Sequence, residues 1–486
     1  MIGTYTRASG GVQRRAEKRP LFPRVGWVVT LVAACGAQPT PPPPPPPTWA
    51  QQASAQLEGQ TRELLDKLVT IDTGSAPVRE RPAAQALLEA LKREGIGATI
   101  LDDGSGRAGL YARIQGGGEQ PPLLLLSHLD THPFEAELWP KETGPISGDD
   151  GQGWIWGRGA VDGKALAALH AVALSLVAKS GGLNRDVLLV ATAEGASGQG
   201  AGLARMIEAH PDIATASMVL TKGGAGYVDL LGDGRLVHGL AYAERGWARL
   251  EIAAVAGEPG VPSPKSRVVS ALGQALLPQP RSTLTPPIEA LWWYSVQDQA
   301  WPLQVAAGSQ LLTKLFLIEG WSQRPETRGL VQDDLRLERL EVGVDRARGI
   351  LAARALPGSS VAGMLAEVRI RTANDSVHVQ VLEGAEANQS PLTPELLAFF
   401  REAIEPKEGE VVAPILATEP TDGHRLRAIG VPTYGYLPLP LDREALASVQ
   451  GRNERVRVTD LGLGAVRMAR LIHALTHTKV PPHSTR

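Results

Sequence analysis

The chain has 486 residues, of which 43% are hydrophobic, and its 49 Lys and Arg nearly balance 51 Asp and Glu. That length suits two or three domains, and the apolar content is enough to build real cores. A formal net charge of −2 excludes nucleic acid as the main partner, because phosphate binding needs a basic face.

Basic residues do cluster at the start. Arg14, Arg15, Lys18, Arg19 and Arg24 precede a short apolar run over 25–34 that ends in Val32-Ala33-Ala34-Cys35. The run is too short to span a bilayer and has the layout of a secretory signal. Small residues directly before the sole cysteine resemble the lipobox of bacterial lipoproteins. The expectation is a signal peptide over 1–35 and an exported protein, held at a bacterial cell-envelope membrane by a lipid anchor on Cys35. A plain signal peptide with an incidental cysteine, or an uncleaved anchor, stays open. Residues 36–50 carry an unbroken proline run from Pro41 to Pro47. In polyproline II this run reaches roughly 22 Å and acts as a stiff spacer.

Helical periodicity follows over 51–67 and 83–94, then strand-like stretches over 98–101 and 109–114. The apolar run at 123–127 reads as a strand buried on both faces, 165–179 as a long apolar helix, and 186–193 as another buried strand. This alternation predicts a mostly parallel α/β sheet, with chemistry at the strand ends where His128, Asp130, Glu194 and Lys222 fall. From 247 the texture changes: 248–255 and 366–372 read as half-exposed strands of a separate α+β insert. The α/β pattern returns with a helix over 394–404, a strand over 432–436 and a closing helix over 461–475.

The segments Ser127-His128-Leu129-Asp130-Thr131 and Gly157-Arg158-Gly159-Ala160-Val161-Asp162-Gly163-Lys164 resemble the M20 metallopeptidases. Ala243-Glu244-Arg245-Gly246-Trp247, Arg354-Ala355-Leu356-Pro357-Gly358 and Gly451-Arg452-Asn453-Glu454-Arg455 resemble that family's carboxypeptidase S-like branch. The resemblance implies a zinc-peptidase-like catalytic domain over 51–246 and 387–480, interrupted at 247–386 by a smaller lid domain that often pairs two chains as a homodimer. It implies two zinc ions bridged by a carboxylate and a water, and hydrolysis of amide bonds in peptides or N-acyl amino acids. Carried over, His128 is a metal ligand, Asp162 the bridge, Asp130 the carboxylate orienting the histidine and Glu194 the general base. Arg354 matches an arginine that holds a substrate carboxylate.

Other positions depart from the pattern. Where the family has an acidic ligand after the base, this chain has Gly195; its next acidic ligand falls on Lys222, and its last histidine ligand on Gln450. The lid histidine that steadies the oxyanion falls on Val261. Each zinc wants about three protein ligands, so a family-like pair is not expected here. The expectation is instead that the Lys222 ammonium fills the vacated metal volume beside Asp162. Two functional readings follow: a non-catalytic binding protein, or an active hydrolase with a rebuilt single-metal site that recruits His132 or His424.

Overall fold

The computed structural model describes residues 54–480 except 76, 78, 197–199, 258–259, 278–281, 374–375 and the side chain of 316. The signal segment, Cys35 and the proline run lie outside the described residues.

Strands run in chain order as β1 (Ala98–Asp102), β2 (Ala108–Ile114), β3 (Gln120–His128), β4 (Gly148–Asp149), β5 (Trp154–Trp156), β6 (Arg185–Thr192), β7 (Met218–Val228) and β8 (Leu236–Glu244). They continue as β9 (Gly246–Val255), β10 (Asp334–Val342), β11 (Arg346–Ala355), β12 (His378–Ala385), β13 (Asn388–Gln389), β14 (Glu410–Ala417), β15 (Thr433–Leu441) and β16 (Arg455–Arg457). The main sheet has the order β1-β2-β6-β3-β7-β15-β8-β13, with β14 parallel to β8. Its centre, β6-β3-β7-β15, is parallel, while β1, β2 and β13 pair antiparallel at the margins.

The continuous apolar run of β3 is explained by this sheet's two covered faces. Leu123 and Leu125 enter one core with Val187 and Leu189, whereas Leu124 and Leu126 enter another with Leu188 and Val190. The first face is closed by helices α1 (Ser54–Val69), α2 (Arg81–Arg93), α3 (Lys164–Ser180) and, at the chain's end, Val458–His477. Helix α3 is buried nearly all round, which matches its Ala- and Leu-rich sequence.

A second sheet, β10-β11-β9-β12, is antiparallel and has its own core against α4 (Pro264–Leu276) and α5 (Val361–Arg371). The 248–255 stretch is the half-exposed strand expected: Ala248, Leu250, Ile252 and Ala254 enter this core, while Arg249, Ala253 and Val255 keep exposure on the other face. One expectation is corrected here. The 366–372 stretch is not a strand but the C-terminal half of α5. Its alternating Val368 and Ile370 suggested a strand, but capping at the other end decides the matter. The Ser360 hydroxyl accepts from Gly363 N at 2.9 Å, and the Glu386 carboxylate accepts from Val361 N and Ala362 N. The helices at 286–331 do not join this second core: Ile288, Leu291, Trp321 and Leu330 pack into the main one.

Candidate functional site

Strand β3 delivers His128 to the carboxyl edge of the sheet, where it is 3% exposed. The loop before α3 brings Asp162 to it, with His128 Nε2 3.3 Å from Asp162 Oδ1. Between loop and helix stands Gly163 at φ +110, where a Cβ would lie 2.4 Å from His128 Cε1. A side chain there would drive the histidine out. The loop is pinned by Glu454, fully buried, whose carboxylate accepts from the backbone N–H groups of Gly159, Val161 and Asp162 at 2.9–3.1 Å.

On its other side His128 Nδ1 lies 3.0 Å from the Asp130 carbonyl and 3.4 Å from its Oδ1. The Asp130 carboxylate is fixed in turn by the amides of Gly195 and Ala196, at 2.7 and 3.0 Å. His128, Asp162 and Asp130 are therefore together, as their shared motif implied.

The replaced positions also converge. Lys222 is only 13% exposed, and its Nζ donates to Asp162 Oδ1 at 2.9 Å. Gln450 Nε2 donates to Asp162 Oδ2 at 2.7 Å. Lys222 lies inside β7 rather than after it, where the pairing of β15 slips between Gly435 and Leu437. Gly195 has no room for more: a Cβ would sit 2.5 Å from His128 Cβ and 2.8 Å from Asp422 Oδ2.

Charges in this cluster close on themselves. Burial alone would raise the Asp162 carboxyl, but the Lys222 ammonium and the His128 ring outweigh it and hold it well below the carboxylate range. Burial and Lys222 pull the His128 imidazole down, yet its bonds to Asp130 and Asp162 win and push it up to about 9. Burial opposes the Lys222 charge too, and Asp162 more than restores it. Nearby Asp422 goes the other way, pushed up to about 6 by burial despite the Thr192 hydroxyl donating to Oδ2 at 2.6 Å. Its Oδ1 is buried without a hydrogen-bond partner.

A divalent ion does not fit this arrangement. An ammonium and an amide occupy both oxygens of the carboxylate that should bridge two metals, and a cation stands where an acidic ligand is required. Among the described residues no three His, Cys, Asp or Glu side chains gather closely enough to hold a metal.

The remaining predicted residues lie apart from this cluster's hydrogen bonds. Glu194 has a left-handed backbone at φ +60, and its carboxylate is bonded to Arg205 and 3.7 Å from Arg107. Gln450 is left-handed as well, at φ +56. Such strain in non-glycine residues concentrates at functional sites. Arg354 Nε bonds Glu419 at 3.2 Å, and Val261 is exposed. His424 turns its Nε2 to the Glu386 carbonyl at 2.7 Å, whereas His132 is close enough to feel the charges of Asp162 and Lys222. Sequence reading overlooked Asp422, Glu454 and Arg205. Glu454 was visible as an acid inside a quoted motif, but nothing local marked Arg205.

The model of peptidase family M20/M25/M40 matches residues 124–474. The mouse N-fatty-acyl-amino acid synthase/hydrolase PM20D1 is 24% identical over 365 residues, 69% of this chain and 71% of its own. Human carnosine dipeptidase 1 shares the fold with a TM-score of 0.65 at 14% identity, over 89% of this chain and 99% of that one. The M20 metallo-carboxypeptidase Sso-CP2 of Sulfolobus solfataricus does so with a TM-score of 0.63 at 16% identity, over 86% and 99%. With the family model covering β3 through the closing helix, the chain belongs to peptidase family M20/M25/M40, resembles its metallo-hydrolases, and carries an ion-pair cluster at the place that the family motifs mark.

Proposed function

We propose that this M20 protein binds peptide-like ligands without cleaving them, its two-zinc centre replaced by the salt-bridged cluster around Asp162. One observation carries the reading: both Asp162 oxygens are engaged, by Lys222 at 2.9 Å and by Gln450 at 2.7 Å. Without a metal-bound water Glu194 has no proton to take, and Arg205 and Arg107 already neutralise its carboxylate. The ligand class follows from the relatives' amide chemistry: a peptide or an N-acyl amino acid. The lipobox-like sequence supports placing the protein at an envelope membrane, tethered through Cys35.

The test is hydrolysis of N-acyl amino acids and dipeptides by the full-length protein, with and without added zinc or cobalt. No turnover above a chelator-treated control is expected. Chelator-sensitive turnover that vanishes in Glu194→Gln overturns the reading. It would establish the active alternative, with a rebuilt site on His128, Asp162 and a recruited His132 or His424.

A further inference from the structure

Between α4 and β10 the chain places apolar side chains that the described residues leave exposed. Helix α6 (Pro286–Ser295) leads into α7 (Trp301–Ala307), a helix of sequence Trp-Pro-Leu-Gln-Val-Ala-Ala in which no residue is buried. Trp301 is 74% exposed, Leu303 43% and Val305 56%. The neighbouring segments add Trp293 at 42%, Leu311 at 67% and Leu315 at 62%.

These residues belong to one ordered structure. The Trp293 ring comes within 3.9 Å of a Cβ built on Gly308, and Thr313 Oγ1 donates to the Ala306 carbonyl at 3.2 Å. Gln304 Nε2 ties α7 to the preceding turn through the carbonyls of Gln297 and Gln299. Trp301 and Val305 stand four residues apart in α7 and so share a helical face, and Leu311 and Leu315 follow in the next helical segment. Behind them Ile288, Leu291, Leu317 and Ile318 are sunk in the main core, so the exposed set is mounted on a rigid base. Isolated exposed apolar residues are ordinary, but a group of this size marks a contact surface.

We infer that this surface rests on the bilayer to which Cys35 tethers the protein, inserting Trp301 and its neighbours at the headgroup level. The inference rests on the lipid-anchor reading given above. Two features select a lipid surface over other occupants. Tryptophan and leucine are the residues that interfacial helices turn toward the lipid, with tryptophan at the headgroup level. Within 286–318 the charged residues are Glu289, Asp298 and Lys314 alone, and Asp298 is paired with Arg235, which leaves little net charge to hold a charged partner and suits a zwitterionic headgroup layer. The chain outside the described residues supplies the proximity. From Cys35 to Ser54 the backbone spans at most roughly 60 Å, against a radius of gyration of about 22 Å for a domain of this size. The tether therefore keeps the domain within tens of ångströms of the membrane, and tethering turns weak partitioning into a high effective concentration.

The test is flotation of the full-length Cys35→Ser protein with phosphatidylcholine vesicles. Partitioning is expected, and the share owed to this surface is read as the loss in the variants that follow, which keep the basic and apolar segment at 14–34 unchanged. The triple variant Leu303→Ser/Leu311→Ser/Leu315→Ser, made in the same background, is expected to lower it by about tenfold or more. Should that variant melt at a lower temperature, Trp301→Ser alone, expected to lower partitioning severalfold, decides the question. Partitioning that the substitutions leave unchanged overturns the inference. So does a soluble dimer that they split, which would assign the surface to a second copy of the chain. The anchor is read separately by incorporation of a labelled fatty acid into the wild-type protein. Its absence sinks the anchor while leaving the vesicle result to stand or fall by itself.

Discussion

Two acids and two cations lie within a few ångströms of each other at His128, Asp130, Asp162 and Lys222, the first two buried and the others only slightly exposed. Removing one member of such a set is worse than never having built it, because the partner is left buried and charged. Lys222→Met is therefore expected to destabilise the protein by about 3–5 kcal/mol, read as a fall in the urea midpoint. Asp162→Asn in the Lys222→Met background should recover much of that loss, since the stranded charge goes with it. A cluster that only decorates the surface would give equal, small effects for both. Gly195 is the second case. A Cβ there meets His128 and Asp422, so Gly195→Ala should cost about 1–3 kcal/mol through overpacking. A neutral melting temperature for Gly195→Ala would show that β3 and the 421–423 turn can move apart. At this scale the substitutions at 195, 222 and 450 were legible because flanking motifs set their register. The Asp162–Lys222 bond was expected because the family resemblance put Lys222 at a lost ligand position, whereas Arg205 reaches Glu194 through tertiary packing that no local pattern encodes.

Buried strands and long helices declared themselves in the sequence, because continuous apolar runs and 3.6-residue periodicity follow directly from burial. The failure at 366–372 has a clear physical cause. Val368 and Ile370 alternate with arginines, a strand-like pattern, yet the helix is set from its start by Ser360 and by the distant Glu386. Ser360→Ala is expected to destabilise α5 by about 1 kcal/mol, measured by thermal unfolding. Another element-level joint ties β8, β14 and the last helix. Glu410 accepts from His238 Nε2 and from Lys407 N, both at 3.0 Å, and pairs with Arg467. Burial would raise its carboxyl, but those three partners outweigh it and hold Glu410 at about 2 instead of 4.5. The folded-state value is the lower one, so the stabilisation is complete above pH 4.5 and is lost as pH falls toward 2. Unfolding free energy measured across that window should fall more steeply for the wild type than for Glu410→Gln. Parallel curves would remove Glu410 from the account.

Over the whole molecule, the alternating pattern of strands and helices was enough to anticipate the central parallel sheet with both faces covered. It did not reveal that the helices of 286–331 split their loyalties. Their inner residues complete the main core while the intervening stretch breaks from it, and an apolar composition cannot say which side faces protein. The same limit governs function. The scaffold is that of metal-dependent hydrolases, but whether it can act as one is decided by Asp162 and what touches it. Elemental analysis of the full-length protein, incubated with excess zinc and then desalted, tests this most directly. The cluster predicts far less than one zinc retained per chain, and two tightly held equivalents would contradict it.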